Sequence, residues 1–496
     1  MTTAKHRLLA FDLGAESGRA LLGHFDGEKL RLEELHRFAN GPVQVFDSLY
    51  WDPLRLFGEM TEALSMYRRQ YGARLDALGV DTWGVDFALL GRGDVLLGNP
   101  HNYRDPRTDG MLEAAFQRVP QQEIFARTGV QFMKLNTLYQ LLAMQRQGSP
   151  LLEVAETFLM MADLFNFFFT GVKTGEFSNA TTTQFYDPSR GDWSTELLQQ
   201  FGLPTHILPP IVEPGAVLGQ LLPSLRQQTG LDPVRVLAPA THDTGSAVAA
   251  VPTADRDYAY ISSGTWSLMG IEEDRPLLHE AALAHNFTNE GGVGGTFRFL
   301  KNIAGLWLMQ ECRRTWARQG REFSYDELTA KAQQAPPFAA LIDPDDELFI
   351  APGDMPARIV DYCRRSGQTP PAEEGGIIRT ILESLALKYR HVLEHLDQIR
   401  GQRLARIHVV GGGIQNRLLC QFTASATGRP LLAGPLEATA IGNLMVQALG
   451  TGEVGSIDQA RQVVRNSFAP DIYEPEDDSG AWDQAYVHFA ALLPPA

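Results

Sequence analysis

Cysteine is scarce: the 496 residues hold three, Cys312, Cys363 and Cys420, widely scattered and without a Cys-x-x-Cys pair. That excludes a disulfide framework and a cysteine zinc site and fits a reducing cytoplasm. Basic residues are in deficit, 43 Lys and Arg against 59 Asp and Glu, for a formal net charge of −16. Such a chain lacks the basic face that nucleic acid needs, so no nucleic-acid partner is expected. A phosphorylated nucleotide remains open, because backbone N–H groups, a metal ion and one or two Arg suffice to hold it. Long apolar runs are missing too. The most apolar stretch, "FLMMADLFNFFFTG" at 158–171, is too short to span a bilayer and carries Asp163 and Asn166, so it reads as a buried helix with no membrane partner. The opening "MTTAKHRLLAFDLG" has neither the apolar core nor the cleavage site of a signal peptide, and a soluble, cytoplasmic protein is expected.

Several catalytic signatures are absent as well. No G-x-S-x-G occurs, which argues against a nucleophile-elbow hydrolase. No H-E-x-x-H occurs and the 12 His are dispersed, which argues against a zinc enzyme. There is no P-loop Lys-Ser/Thr, and no helix-opening G-x-G-x-x-G with a downstream acid, so NAD is not expected.

What is present points to an α/β protein. The length is too great for one ordinary core and implies two large domains. Residues 7–25 read as strand, tight turn, strand, and "RLEELHRF" (31–38) as a third strand. "PLRLFGEMTEALSMYRRQYG" has helical apolar spacing, and "LDALGVDTWGVDFALLG" (75–91) reads as strand, polar turn, strand, with Asp81, Trp83, Gly84 and Asp86 near the turn. The region from about 110 to 230 is helix-rich, with a polar loop "SNATTTQFYDPSRGDW" at 178–193. At 258–273, "YAYISSGTWSLMGIEE" repeats the opening strand, small-residue turn and strand, which suggests internal duplication. An amphipathic helix at 375–401, a strand "ARIHVVGGG" and an apolar helix at 438–450 follow. No low-complexity linker parts the halves, so they are expected to pack around a cleft.

Four stretches carry candidate chemistry. In "LLAFDLGAESGRALLGHF" (8–25), Gly14 and Gly18 either merely permit a tight hairpin with positive φ or let successive N–H groups cup an anion, with Asp12 holding a Mg²⁺-bound water. In "APATHDTGSAVAAVP" (238–252), Asp243 is either the N-cap of a small-residue helix or a general base, beside His242 and Thr244. "VVGGGIQNRLL" (409–419) is a tight strand-to-helix connection or a close approach to a ligand. "FLKNIAGLWLMQECRR" (299–314) reads as a helix with Asn302 at its start and Gln310 two turns on, Trp307 being core.

Each is weak alone, but the order of "DLGAESGR", "GVDTWGVDFALL", "YRDPRTDG", "TLYQL", "NATTTQ", "THDTGSAV", "YISSGTWSLMG", "NFTNEGG", "LKNIAGLWLMQECRR" and "VVGGGIQN" resembles the FGGY carbohydrate kinases from about residue 7 to about 445. The resemblance implies a duplicated actin/hexokinase/Hsp70-like (ribonuclease H-like) fold with mixed sheets around a central cleft. Residues 1–247 would form the sugar and phosphate side and 248–496 the nucleotide side. It implies ATP-dependent phosphorylation of L-rhamnulose at the 1-hydroxyl, with Mg²⁺. Alternatives are a related ketose such as L-fuculose or, in another class, an ATP-binding switch on the same fold. Ala15, Glu16, Ser17, Gly18 and Arg19 would surround the ATP phosphates, with Asp12 near Mg²⁺. Gly84, Asp86, Tyr103, His242, Asp243 and Thr244 would line the ketose site, Asp243 as base. Thr265, Asn302, Gln310, Gly411 and Gly412 would contact nucleotide. Where relatives often carry a small hydroxyl residue this chain has Glu16, so the backbone N–H is the expected contributor there.

Overall fold

The computed structural model describes residues 5–476 and 479–494. The chain divides into two compact units, one of Met1–Ala254, Glu272–Phe299 and Glu437–Phe468, the other of Asp255–Ile271, Leu300–Leu436 and Ala469–Ala496.

The first unit is built on a sheet in which His6–Leu13 pairs antiparallel with Ser17–Phe25, which pairs antiparallel with Leu30–Ala39. On its other side His6–Leu13 pairs parallel with Ala77–Thr82, and that strand with Arg235–Leu237. The second unit repeats the scheme. Tyr258–Ser263 pairs antiparallel with Trp266–Glu273 and parallel with Arg406–Val410, which is parallel to Leu431–Ala433. Phe297–Ala304 stands next to Trp266–Glu273, as Leu30–Ala39 stands next to Ser17–Phe25. The duplication read from two short stretches therefore extends to five strands on each side.

The helices form for local reasons. Pro53–Tyr71 starts at Asp52, whose Oδ1 accepts from Arg55 N at 3.1 Å, and it buries Leu56, Met60, Leu64 and Tyr67 at helical spacing. Glu374–Arg400 buries Ile378, Ile381, Leu385, Tyr389 and Leu393 and stops at Gly401, whose φ of +71° only glycine takes cheaply. Among the described residues, no helix is long and apolar enough to cross a membrane.

Three local expectations change. The apolar run at 158–171 is a strand followed by a helix: Thr157–Met160 pairs with Phe87–Gly91 in a separate three-stranded sheet, and only Met161–Thr170 is helical. A continuous apolar run has no period to separate the two forms. The polar loop expected at 178–193 opens instead with the helix Phe177–Ala180 and the 3-10 turn Thr181–Thr183, and Ser178, Asn179 and Thr181 to Gln184 are all buried. Its threonine hydroxyls bond to carbonyls three residues back, as Thr182 Oγ1 does to Asn179 O at 2.8 Å. Asn302 lies on the strand Phe297–Ala304, and the helix begins only at Trp307.

Candidate active site

Two parallel strands of the first unit end side by side. Ala77–Thr82 runs into "WGVDF" and Arg235–Leu237 into "APATHD". Thr82 N donates to Thr241 O at 2.8 Å, and Thr82 bridges to His242. Loops at the carboxyl ends of parallel strands are where open α/β sheets receive ligands. Glu176, wholly buried, ties one loop down: it accepts from Thr241 N at 2.9 Å and Thr241 Oγ1 at 2.6 Å, and from Ser178 Oγ at 2.6 Å. Ser178 Oγ in turn accepts from His242 N at 3.1 Å.

His242 is the N-cap of the helix Asp243–Ala249, and Asp243 is its first helical residue. The N-cap alternative for Asp243 is therefore set aside. Asp243 Oδ1 accepts from Thr244 N at 2.6 Å and lies 3.5 Å from His242 Nε2. Oδ2 meets no protein donor among the described residues, and 29% of the side chain is exposed. Burial raises the Asp243 pKa, a charged His242 ring would draw it down, and nearby Asp12 adds to the rise. This is a carboxylate of increased basicity with one oxygen uncommitted, as a general base requires.

Gly84 faces the same group. A Cβ there would sit 3.1 Å from Thr182 Cγ2 and 3.3 Å from His242 Nε2. Val85 follows with φ +66°, a strained value for a β-branched residue. The conformation is held from both sides: Val85 N donates to Thr182 Oγ1 at 3.1 Å, and Val85 O accepts from Thr137 Oγ1 at 2.6 Å. Backbone strain survives where the surroundings over-determine it, commonly at ligand sites. Asp86 is fully buried and accepts four bonds: Trp51 Nε1 at 2.6 Å, Trp83 Nε1 at 3.0 Å, Tyr103 N at 3.1 Å and Gln140 Nε2 at 2.8 Å. Burial outweighs these bonds and lifts its pKa to about 6. Tyr103 is thus attached to Asp86 through its backbone.

At the first turn, Gly14 N donates to Ser17 O at 3.0 Å and Asn40 Nδ2 to Gly14 O at 2.7 Å. Ala15, Glu16 and Ser17 are partly exposed. Neither Gly14 nor Gly18 has positive φ, so the hairpin does not need them for that reason. Gly18 is required by packing, because a Cβ there would lie 2.2 Å from the Phe38 ring. Arg19 Nη2 donates to buried Asp12 at 2.5 Å, and Nη1 pairs with Glu437. Asp81, opposite Asp12 in the register, is fully buried and accepts from Asn443 Nδ2 at 2.5 Å. Burial and then Asp12 raise its pKa well above the usual carboxylate range. Glu437 and Asn443 come from the other end of the chain, at the start of and within the helix Ala438–Gly450. Gly442 lets that helix cross Asp243–Ala249, since a Cβ there would fall 1.7 Å from Ser246 O.

In the second unit, the turn after Tyr258–Ser263 receives the next helix. Thr265 O accepts from Gly305 N at 3.2 Å and Trp307 N at 3.1 Å, which places Thr265 beside the helix that carries Gln310. Gln310 Oε1 is buried without a partner among the described residues. Gly411, with φ +88°, and Gly413 pack against Ser263, where Cβ atoms would lie 2.9 Å from its carbonyl oxygen and 1.9 Å from its hydroxyl. Nothing lies within 4 Å of a Cβ at Gly412. The turn at 263–265 thus meets both the start of the helix that carries Gln310 and the glycine loop at 411–413, and Asn302 lies on the strand that precedes that helix.

A five-strand scheme repeated in each half, with a small-residue turn in each, is that of the duplicated actin/hexokinase-like fold. Solved structures agree: a ligand-bound xylulose kinase from Lactobacillus acidophilus superposes with TM-score 0.81 at 16% identity, covering 98% of this chain and 97% of that one. A Plasmodium falciparum glycerol kinase with ADP gives 0.76 at 15%, covering 99% of each. Family models for the N-terminal and C-terminal domains of the FGGY family of carbohydrate kinases match residues 7–250 and 259–451. A Bacteroides thetaiotaomicron protein named rhamnulokinase is 45% identical, covering 98% of this chain and 99% of its own. An Oceanobacillus iheyensis protein of that name is 40% identical, covering 94% and 97%. The chain belongs to the FGGY family of carbohydrate kinases.

Sequence reading passed over Glu176, Glu437 and Asn443. Only the helix at 438–450 carried a signal. Asn443 and Gln447 lie four apart in an otherwise apolar helix, the spacing of polar groups that share a buried partner.

Proposed function

We propose that the protein transfers the γ-phosphoryl group of ATP to the 1-hydroxyl of L-rhamnulose, giving L-rhamnulose 1-phosphate and ADP, in L-rhamnose catabolism. The observation that carries this reading is Asp243, a partly buried carboxylate with Oδ2 uncommitted beside His242 and Gly84. The ketose identity is supported by the relatives named rhamnulokinase, whose identity extends over nearly the whole chain.

The 1-hydroxyl oxygen attacks the γ-phosphorus, the bond to the β-γ bridging oxygen breaks, and the hydroxyl proton passes to Asp243 Oδ2. In a loose transition state the nucleophile needs accurate placement more than activation, so Asp243 takes the proton late. Gly84, His242 and Thr244 contact the ketose. Asp86 and the backbone of Tyr103 hold the loop that carries Gly84. Ala15, Glu16, Ser17 and Gly18 offer backbone N–H groups to the phosphates, with Arg19 as the neighbouring cation. Thr265, Asn302, Gln310, Gly411 and Gly412 hold the nucleotide. In this reading the first half of the chain, 1–247, serves sugar and phosphate, and 248–496 serves the nucleotide.

Mg²⁺ fits the residues present. Asp12 supplies hard oxygen donors, with the carboxylate of Asp243 nearby. Among the described residues no three His, Cys, Asp or Glu side chains converge as a metal cage. That suits an ion carried largely by water and phosphate oxygens, with Asp12 reaching it through a water. When bound, Mg²⁺ offsets charge on the transferring phosphoryl group. The three buried free thiols fit work in a reducing cytoplasm.

The test is ADP release with purified protein over L-rhamnulose, L-fuculose, L-ribulose and D-xylulose. L-Rhamnulose should give the highest kcat/KM. Equal rates on all four would overturn the substrate, and a preference for L-fuculose would replace it. Strong turnover without any sugar would point to an ATP-driven switch instead.

A further inference from the structure

The strand end and turn that carry Thr265, Asn302 and Gln310 are tied to a buried ion pair that the reaction scheme does not use. Lys388 sits within the helix Glu374–Arg400 at 5% exposure, and its Nζ lies 2.8 Å from Asp343 Oδ1 and 3.0 Å from Asp345 Oδ2. The other oxygen of Asp345 reaches the strand Phe297–Ala304, where Oδ1 accepts from Ala304 N at 2.7 Å, at the last residue of that strand. The next three residues are stitched to the turn. Gly305 N and Trp307 N donate to Thr265 O at 3.2 and 3.1 Å, and Leu306 N donates to Gly264 O at 3.0 Å. No side chain fits between the two segments, since a Cβ on Gly305 would fall 2.6 Å from the carbonyl carbon of Trp266. Tyr389, next to Lys388, meets the strand that leaves the turn, its hydroxyl 2.7 Å from Ser267 Oγ. Lys388, Asp345, Ala304 and the turn all belong to the second unit.

We propose that Asp345 is a positioning residue for the nucleotide: it fixes the backbone at 304–307, and through it the Thr265 turn and the start of the helix that carries Gln310. Its two oxygens do separate jobs. Oδ2 is held by Lys388; burial opposes the charge on that ammonium, but Asp345 and Asp343 outweigh it and raise its pKa above the ordinary value. Oδ1 is thereby aimed at Ala304 N, a backbone donor that needs an acceptor where the strand ends. A buried ion pair adds little net stability, because desolvating both charges offsets their attraction, and fixing one geometry is its better-supported use. Here the geometry is that of the backbone. Three N–H groups of 305–307 bond to carbonyls of the turn, so a shift at Ala304 is passed to Thr265 with no side chain between them to absorb it. Gly84, His242 and Asp243 lie in the first unit and take no bond from Asp345, so the effect should be confined to the nucleotide.

The assignment of Thr265, Asn302 and Gln310 to the nucleotide rests on the function proposed above, so nucleotide binding is measured apart from turnover. Calorimetric titration of the full-length protein with ADP gives Kd, and initial rates give KM for ATP and for the ketose. Asp345→Ala keeps the Lys388–Asp343 pair but removes the acceptor of Ala304 N. It should raise Kd for ADP and KM for ATP about 10-fold, equivalent to about 1.4 kcal/mol. KM for the ketose should stay within about twofold, a split that general loss of structure would not give. Asp345→Asn, whose single amide oxygen must choose between Ala304 N and Lys388 Nζ, should fall between Asp345→Ala and the wild type. A merely structural role would lower the urea-unfolding midpoint and leave Kd for ADP unchanged; that result overturns the proposal, and so does an equal rise in both KM values. Should Asp345→Ala not fold, Asp345→Glu takes its place. It keeps a charge beside Lys388 but carries the carboxylate one methylene out of place for Ala304 N, so Kd for ADP should rise in the same direction, and no rise overturns the proposal. A 10-fold weaker Kd for ADP in Asp345→Ala, in a protein that phosphorylates none of the ketoses, supports the positioning role and sinks the substrate. Wild-type protein that binds no ADP overturns both.

Discussion

Asp86 and Asp243 stand in neighbouring loops at the carboxyl ends of parallel strands, and burial raises the pKa of both. They differ in what surrounds the carboxylate. Asp86 is saturated by two indoles, a backbone N–H and an amide, and has no exposed surface. Asp243 bonds through Oδ1 alone and keeps 29% of its side chain exposed. A shifted pKa does not separate a scaffolding acid from a reacting one. The count of donors already on the carboxylate does, because a saturated carboxylate must break bonds before it can take a proton from a ligand.

The contrast can be broken most forcefully at Asp243. Asp243→Asn should lower kcat by roughly 10²- to 10⁴-fold, the range for a lost general base, with ATP binding retained. Ketose-dependent ADP release and nucleotide titration on the same sample check it. Asp86→Asn should do the reverse. It leaves several buried donors sharing one amide oxygen and costs about 2 kcal/mol in urea unfolding near pH 7, with a smaller loss of turnover. Its pH dependence sharpens the point. The folded-state pKa of Asp86 is about 6, above the ordinary carboxylate value of about 3.9, so the folded protein binds that proton more tightly than the unfolded chain. Stability from this group is therefore fully present below about pH 4 and is lost as pH rises through about 6. Asparagine does not titrate, so the gap between wild type and Asp86→Asn should widen as pH falls from 7 toward 4. Gly84→Ala tests the loop between the two acids. The added Cβ presses on Thr182 and on His242 Nε2, and should raise KM for the ketose about 10-fold while changing stability by no more than about 1 kcal/mol. Thr182→Val is the mildest, costing about 1 kcal/mol for the orphaned Val85 N–H.

The sequence made some of this legible and hid the rest for physical reasons. Both hairpins and the helices at 53–71 and 374–400 are local signals, carried by alternation or helical spacing, whereas the base role proposed for Asp243 was implied only by the family resemblance, its local pattern fitting an N-cap as well. Asp86 was visible as a site neighbour, but its saturation was not, because Trp51, Tyr103 and Gln140 lie 35, 17 and 54 residues away. The pairing of Asp81 with Asn443 spans 362 residues, a separation no local pattern encodes. "NATTTQ" read as part of a polar loop, and polar composition alone does not report that it is buried; its threonine hydroxyls are satisfied by its own backbone. Asn302 was assigned to a helix because "FRFLKNIA" breaks strict alternation just where Lys301 and Asn302 occur.

The most direct test of the contrast is the urea-unfolding midpoint of Asp243→Asn. A carboxylate kept unsaturated for chemistry, near Asp12 and Asp81, is a cost to the fold, and asparagine preserves the Oδ1 bond to Thr244 N while removing the charge. The midpoint should equal or exceed that of the wild type. A midpoint lowered as far as that of Asp86→Asn would mean that both acids serve the scaffold and that the proton acceptor lies elsewhere.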